Sequence, residues 1–451
     1  MADRTPIEIA EELLQLVKSI YGTSDSTSIA DQEAYDAKKR VQYLSQLITR
    51  RVAGPLEYTI LLAESCHESA ALRFVAEYGV ADVIGDGIKT LSDISKEVKV
   101  NARYLSRYTV SSMKLPIKHQ RIGAAMNCMH MHGYFEEVQG SGNSRAFRNN
   151  AMSDVLRETH PQSLRAAIGF ICDDAFKAAA YLAEAAREGE QPAVKGAPTA
   201  LNLAFGFEGP AFKHWANADH AWRGKRMGQA MKQLHQMANA NVVTDFDWRA
   251  LQSPLVDLGG GIGTLEMALT EAYPESTLNF IIVDIAETVR NALSIWKTQP
   301  SEARNRVCYV AGDFLASTLE GTRIPYGQPT YLIRHVLHDW ADDEVVAILK
   351  NVRAAMLSTP LEDAIAADGR SLPVSHSPAK TPRLLLCEML LQERSGRFAY
   401  TTSIQVLALN NGIIRTKSEM VALLERAGFR VVKSHAMRAA DSILEAVPED
   451  V

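Results

Sequence analysis

The sequence has few cysteines, no long apolar run and no excess of charge of one sign. Its five cysteines are scattered over 451 residues, with no Cys-x-x-Cys pair and no histidine at metal-ligand spacing. We therefore expect reduced thiols and no metal site. No segment approaches the roughly 18 uninterrupted apolar residues of a membrane span, and the opening residues lack the apolar stretch of a signal peptide. These absences predict a cytoplasmic protein with no membrane partner.

Charge and composition also exclude several classes of protein. The 48 basic and 53 acidic residues give a formal net charge of −5, which provides no electrostatic surface for a nucleic acid. Hydrophobic residues make up 47% of the chain, as in ordinary globular proteins rather than disordered or fibrous ones. The length predicts more than one domain, at about 100–200 residues each.

The pattern of apolar residues divides the chain into four regions. Residues 1–56 form an N-terminal helical arm of two amphipathic helices. Residues 57–150 show the helix and hairpin order of a winged helix, and no helix there carries a row of Lys or Arg. We therefore predict a dimerisation domain rather than a DNA-binding one. Residues 151–250 are helical and aromatic, and residues 251–451 alternate short apolar runs with helical segments.

This alternation predicts an α/β fold, a doubly wound parallel sheet with helices on both faces. The segment 358–382 interrupts it with a polar stretch rich in Pro, Ser and Ala. We expect that segment to be a mobile surface insertion.

The strongest motif is PLVDLGGGIGTLEMAL at residues 254–269. An apolar strand leads into a glycine turn, and a helix follows, so main-chain N–H groups can approach a ligand closely. The third glycine of a dinucleotide fingerprint would stand one place later, which disfavours a pyrophosphate. The predicted cofactor-binding residues of this motif are Asp257, Gly259, Gly260, Gly261 and Gly263.

Two further strand ends carry acids suited to a nucleoside. FIIVD ends at Asp284, where a carboxylate can accept hydrogen bonds from both ribose hydroxyls. The next strand ends in Gly312-Asp313-Phe314, where Asp313 can accept from an adenine amino group and Phe314 can cover the base.

With the later segment LIRHVLHDWADDE at residues 332–344, these motifs resemble class I S-adenosylmethionine-dependent methyltransferases. More narrowly, the sequence is similar to the plant and fungal small-molecule O-methyltransferases related to caffeic acid O-methyltransferase, over about residues 57–447. The resemblance implies a Rossmann-like domain with a seven-stranded sheet, S-adenosylmethionine as cofactor, a small-molecule substrate of secondary metabolism and a homodimer joined by its N-terminal helices.

The resemblance also implies roles for individual residues. Asp257 and the glycines would hold the methionine part of the cofactor, and Arg334 stands where the family often has a cofactor-contacting Lys or Arg. His338 would be the general base that deprotonates the acceptor hydroxyl, a task that suits a side chain with an ordinary pKa of about 6.5. Glu388 in LLLCEML would be one of the two acids beside this base.

The second acid is missing, because Ile414 occupies its place in NGIIRT. This departure leaves an alternative open. A small fungal group resembling these methyltransferases catalyses dehydration and pericyclic ring closure on pyridone-type polyketides and keeps S-adenosylmethionine as an unconsumed positive charge. In that alternative His160 and His338 would donate hydrogen bonds to a substrate carbonyl or enolate.

We expect the acceptor pocket to be largely aromatic, since such side chains suit a flat, apolar small molecule. The candidate lining residues are Phe170, Phe176, Phe205, Phe207, Met231 and Ile414.

Overall fold

The computed structural model divides into two compact units. It describes residues 4–21, 32–98, 117–139, 145–188, 198–209, 211–217, 219–361, 363–374, 381–392 and 396–449. The helical unit comprises residues 46–184 and 201–237, and the sheet unit comprises residues 1–45, 185–200 and 238–451. The four-region division drawn from the sequence remains a prediction.

Helices occupy much of both units. In chain order they are α1 (Pro6–Tyr21), α2 (Gln32–Glu77), α3 (Val80–Ile84), α4 (Leu91–Glu97), α5 (Ile117–Met131), α6 (Ala151–Asp154), α7 (Arg165–Gly169), α8 (Phe176–Ala179), α9 (Leu182–Glu188), α10 (Ala200–Phe205), α11 (Ala211–Ala216), α12 (Ala221–Asp245), α13 (Thr264–Ala272), α14 (Ala286–Trp296), α15 (Ser301–Asn305), α16 (Leu319–Thr322), α17 (Asp342–Leu357), α18 (Arg397–Asn410) and α19 (Lys417–Arg426). Gly54 breaks the helical geometry of α2 just before Pro55, where the sequence predicts a helix end. In the part of the chain that the structure describes, no helix is long and apolar enough to cross a bilayer.

The helical unit contains a small antiparallel sheet. Its strands are β1 (Lys89–Thr90), β2 (Phe135–Gln139) and β3 (Arg145–Asn149), and β3 lies between the other two. The predicted hairpin is therefore confirmed. The predicted helix in NARYLSRYTVSSM lies outside the described residues, and the winged-helix assignment remains a prediction.

The sheet unit contains one seven-stranded sheet in the order β6-β5-β4-β7-β8-β10-β9. Its strands are β4 (Leu255–Leu258), β5 (Phe280–Asp284), β6 (Val307–Ala311), β7 (Thr330–Arg334), β8 (Arg383–Met389), β9 (Phe429–Ala436) and β10 (Asp441–Pro448). Strands β4 to β8 run parallel to one another, and β10 pairs antiparallel with both β8 and β9. The chain order reverses at β4, so ligands are expected at the carboxyl ends of β4 and its neighbours.

The central strands are largely apolar because helices cover both faces of the sheet. Val256 and Tyr331 belong to the core on one face, whereas Leu255 and Leu332 belong to the core on the other. Alternation along each strand therefore separates two apolar layers, and polar side chains concentrate at the strand ends.

The mobility expected for the insertion at 358–382 stays a prediction, but its described part contains structure that the sequence did not predict. In its described part, Ala366 and Arg370 close a small hairpin, and the Ala367 N–H donates to the Tyr309 carbonyl at 2.7 Å. The Arg370 guanidinium donates to the Val307 carbonyl at 2.6 Å. The hairpin thus covers β6, which would otherwise be an exposed sheet edge.

Removing the Arg370 side chain should weaken this cover. We expect Arg370→Ala to lower the free energy of unfolding by about 1 kcal/mol, because the Val307 carbonyl of the edge strand loses a charged donor. Urea denaturation measures the change. Arg290→Ala, an exposed arginine on α14, should change it by less than about 0.5 kcal/mol. Equal losses in the two variants would contradict the assigned role of the hairpin.

Candidate active site

The glycine loop between β4 and α13 is shaped by close contacts that exclude larger side chains. Gly259 has a positive φ of 75°, and a Cβ there would lie 2.6 Å from Val336 Cγ2. A Cβ on Gly260 would overlap the Asp257 carboxylate. The loop therefore folds tightly over the end of its own strand, as predicted from the motif.

Asp284, at the end of β5, ties this loop to the next strand. Its Oδ2 accepts from the Gly261 N–H at 2.9 Å, and its Oδ1 accepts from the Ile285 N–H at 2.7 Å. Burial raises the pKa of Asp284, although these N–H groups oppose the rise. The carboxylate is thus fixed beside the glycine loop, where the sequence analysis places the ribose.

Asp313 and Phe314 follow the end of β6. Asp313 is exposed, and its Oδ1 accepts from the Leu315 N–H at 2.9 Å. Phe314 meets the edge of Trp340 with ring centroids 5.9 Å apart. Because β4, β5 and β6 are parallel neighbours, their carboxyl ends bring the loop, Asp284 and Asp313 to one edge of the sheet.

Arg334 ends β7, and its side chain is buried. Its Nη2 lies 3.7 Å from Asp441 Oδ2, and His335, at a positive φ of 53°, places Nε2 2.8 Å from Asp441 Oδ1. Asp441 therefore lies between two basic side chains at the start of β10. Sequence reasoning did not single out Asp441, since it begins an ordinary terminal strand. The cofactor contact assigned to Arg334 stays a prediction.

The predicted base and its acid are brought together by neighbouring strands. His338 lies in the short helical turn Leu337–Asp339 after β7, and its Nδ1 is 2.8 Å from Glu388 Oε2 on β8. Glu388 Oε1 accepts from the N–H groups of Val336 and Leu337, at 3.0 and 2.9 Å. The buried Glu388 carboxylate therefore fixes both the turn and the imidazole. This arrangement leaves Nε2 of His338 for a substrate hydroxyl.

The charges around His338 favour its protonated form. Burial alone would lower the pKa of His338, but the negative charges of Glu388 and Asp339 outweigh it and raise the pKa to about 9. Burial raises the pKa of Glu388, and the His338 cation more than reverses this, so the net shift is downward. The pair stabilises the folded state fully between the ordinary glutamate and histidine pKa values of 4.5 and 6.5. This contribution is lost as pH rises through about 9, and also as pH falls through the lowered pKa of Glu388.

The loop that lacks the second acid packs against the backbone of the same turn. The Ile413 N–H donates to the His338 carbonyl at 2.8 Å, and a Cβ on Gly412 would overlap that carbonyl. Ile414 itself is buried. A different acid, Asp339, lies on the far side of the imidazole, with Oδ1 3.6 Å from Nε2 of His338.

Asn410 orients this acid by donating from Nδ2 to Asp339 Oδ1 at 2.6 Å. Sequence reasoning missed both residues. In the sequence, Asp339 directly follows His338, and this was the available signal. It resembles the ordinary start of the acidic segment before α17.

The remaining predicted residues belong to the helical unit. The His160 Nδ1 accepts from the Gln162 N–H at 3.1 Å, a local turn contact. Phe170 is buried against Trp215, Met231 is half-buried, and Phe176 is exposed. The catalytic role of His160 and the pocket role of these side chains, like that of Ile414, stay predictions.

Phe205 and Phe207 lie next to arginine and histidine side chains in this unit. The Arg223 guanidinium lies 4.8 Å from the centroid of the Phe205 ring. Phe207 stacks on His214 with ring centroids 3.9 Å apart, and His214 stacks on His220 at 4.2 Å. Both phenylalanines therefore lie beside basic side chains.

The seven-stranded sheet has an antiparallel strand, β10, next to one edge. Acids suited to binding a ligand lie at the ends of its first three strands in the chain. This arrangement defines a class I methyltransferase fold. Residues 180–430 match the O-methyltransferase domain family, and this match covers more than half of the chain. The chain belongs to that family.

Similar proteins include fungal enzymes. O-methyltransferase tpcA of Aspergillus fumigatus is 24% identical over 94% of this chain and 90% of its own length. O-methyltransferase gedA of Aspergillus terreus is 30% identical over 50% of this chain and 45% of its own. The crystal structure of OxaC with SAH and oxaline superposes with a TM-score of 0.71 at 18% identity, covering 98% of this chain and 99% of OxaC.

S-adenosylmethionine is the cofactor of the family, as predicted. The residues of the glycine loop fit this cofactor. The loop leaves open space at Gly261, where a Cβ would meet nothing within 4 Å, and buried Asp257 Oδ1 has no hydrogen-bond partner among the described residues. An open cradle with an unpartnered carboxyl oxygen suits the ammonium group at the amino acid end of this cofactor.

Replacing Glu388 by Gln should lower the pKa of His338. The Glu388 charge is the largest influence that raises this pKa against burial, so we expect the titration midpoint to fall by more than about one pH unit from its value near 9. Imidazole NMR resonances measure it, with His338 assigned by its loss in His338→Gln. Glu271→Gln, an exposed acid on α13, should leave the midpoint unchanged. An unshifted midpoint in Glu388→Gln would refute the ion pair.

Proposed function

We propose that this protein transfers the methyl group of S-adenosylmethionine to a hydroxyl of a small aromatic or polyketide-type secondary metabolite. The observation that carries the proposal is the His338 imidazole, bonded through Nδ1 to Glu388 at the carboxyl edge of the sheet. Relatives named O-methyltransferase in three fungi, and the mitomycin 6-O-methyltransferase of Streptomyces lavendulae, support this class of substrate.

Asp257, Asp284, Asp313, Phe314 and the glycine loop would hold the cofactor. When bound, it supplies a methyl group on a sulfonium, already activated toward an oxygen nucleophile. His338 accepts the hydroxyl proton at Nε2, and Glu388 holds the imidazole and stabilises its cation. His338 must first be neutral, and it reaches that state more readily beside a bound cation, because like charges disfavour the imidazolium.

Products formed from a metabolite extract test the reaction class. The purified protein and S-adenosylmethionine are incubated with an extract of a strain of the source organism that lacks this gene. Mass spectrometry follows the masses of the metabolites and of the cofactor. We expect one metabolite to gain the mass of a methylene as S-adenosylhomocysteine accumulates in equal amount. A product formed without consumption of the cofactor would overturn the proposal.

His338→Gln should abolish turnover without weakening cofactor binding, since its role is in the chemical step. In the wild-type protein, kcat should rise with pH because the base must be neutral. A variant that keeps most of its activity, or a kcat that falls with pH, would contradict the role of His338 as base.

The same observations favour a second candidate, a pericyclase that keeps the cofactor intact. The supporting feature is the raised pKa of His338, about 9, which makes the imidazole a hydrogen-bond donor at neutral pH. In that reaction a protonated His338 would polarise a substrate carbonyl, with His160 as the second proposed donor. Its signature is an isomerised or dehydrated product, unchanged cofactor and a rate that falls as pH rises.

We further propose that the protein is a homodimer. Within the described residues, α2 carries a run of exposed apolar side chains around its kink. These are Val52, Leu56, Ile60, Leu61 and Leu62. Leu56 is 85% exposed and Ile60, one helical turn later, is 62% exposed. Exposed apolar side chains in such number are costly in water, and a second copy of the same helix would cover them.

The double substitution Leu56→Lys and Ile60→Lys should convert a dimer into a monomer, since two charges would then face the partner helix. Sedimentation equilibrium measures the mass. Leu361→Lys, an exposed leucine in the sheet unit, is the control and should leave the dimer intact. A wild-type protein that is monomeric at every concentration would rule out this interface.

A further inference from the structure

Two buried acids lie in contact beneath the glycine loop. Asp257 is on β4 and Glu266 is in the first turn of α13, and both side chains are buried. Their carboxyl groups are within hydrogen-bond reach of each other. Among the described residues, no other side chain gives a hydrogen bond to Asp257 Oδ1 or to either Glu266 oxygen.

A buried carboxylate needs a donor, and two ionised carboxylates in contact repel each other. Burial and the charge of Glu266 raise the pKa of Asp257, and burial raises that of Glu266. The other titratable groups that face the pair are Arg334 on β7, Asp284 on β5 and Tyr309 on β6. The single cation of Arg334 can balance only one negative charge on the pair.

We propose that Asp257 and Glu266 share one proton in the cofactor-free protein and release it to solvent when S-adenosylmethionine binds. Glu266 thereby becomes a cofactor-site residue that acts through Asp257. The shared proton supplies the donor that the buried oxygens lack, and it leaves the pair with one net negative charge.

The location of the pair explains why the cofactor would displace the proton. Asp257 lies directly against Gly260 of the loop, where the amino acid end of the cofactor is proposed to bind. That end carries an ammonium and a carboxylate group, and the neighbouring sulfonium gives the cofactor one net positive charge. A nearby positive charge favours the ionised form of a carboxyl group, so the proton becomes easier to lose. The inference rests on the cofactor placement proposed above, but not on the acceptor or the reaction.

Calorimetry can count the released protons. Binding of S-adenosylmethionine to the His338→Gln protein is titrated in three buffers of different ionisation enthalpy at one pH, and the slope of binding enthalpy against ionisation enthalpy gives the number. This background keeps the imidazole from adding a proton of its own. We expect about one proton released, and therefore an affinity that tightens by about tenfold per pH unit while the pair holds its proton.

In the same His338→Gln background, Glu266→Gln should reduce the number of released protons to near zero, because the amide then donates to an already ionised Asp257. The matched control Glu271→Gln changes an exposed acid on the same helix and should still release one proton. Adenosine, which lacks the amino acid end, should bind the wild-type protein without proton release. In the His338→Gln background, cofactor binding with no proton release, or a Glu266→Gln variant that releases a full proton, would overturn the proposal.

Two further measurements separate the possible failures. Asp284→Asn should weaken cofactor binding without changing the proton number, and an unchanged dissociation constant would mean that the cofactor placement itself is wrong. If Glu266→Gln does not fold, infrared difference spectra of the wild-type protein decide the question. Loss of a protonated-carboxyl band on cofactor binding supports the shared proton, and absence of such a band refutes it.

Discussion

The candidate active site depends on one buried carboxylate with three donors. Glu388 accepts from two consecutive backbone N–H groups and from the His338 imidazole. A carboxylate this deeply buried is costly unless its oxygens are satisfied. The turn after β7 provides those donors only in its observed conformation. The charge of Glu388 therefore stabilises that conformation, and the conformation in turn orients His338. Substituting Glu388 should therefore disturb the backbone as well as the imidazole.

Charge balance continues along the same edge of the sheet. Asp441 lies against Arg334 and His335, and Asp339 lies beside His338 with Asn410 as its donor. Asp339 provides a negative charge near the imidazole even though Ile414 occupies the place of the family's second acid. Its distance from Nε2 is longer than a hydrogen bond, so an acceptor hydroxyl can still use that nitrogen.

The sequence predicts the parts of this arrangement that depend on local pattern. The glycine loop, Asp284 and the His338 motif each stand next to an apolar strand, and a parallel sheet necessarily brings their carboxyl ends together. Glu266 was not predicted, because an acid in the first turn of a helix is an ordinary stabilising choice, and only the fold shows that it faces Asp257 in the interior. The hairpin that covers β6 was missed for a related reason, since its polar composition does not reveal that its donors meet an edge strand.

His338 and the Asp257–Glu266 pair respond in the same direction to a bound cation. In the empty protein His338 carries a proton because two acids face it, and the pair is proposed to share one because two acids face each other. A positive charge at this edge disfavours both protonated forms. Cofactor binding would then favour neutral His338 and, at the same time, balance the charge of the ionised acid pair in the cofactor site. For methyl transfer this coupling is useful, because His338 becomes neutral only where an activated methyl group is present. For a pericyclase it would be a disadvantage, because the same charge would remove the donor that the reaction needs.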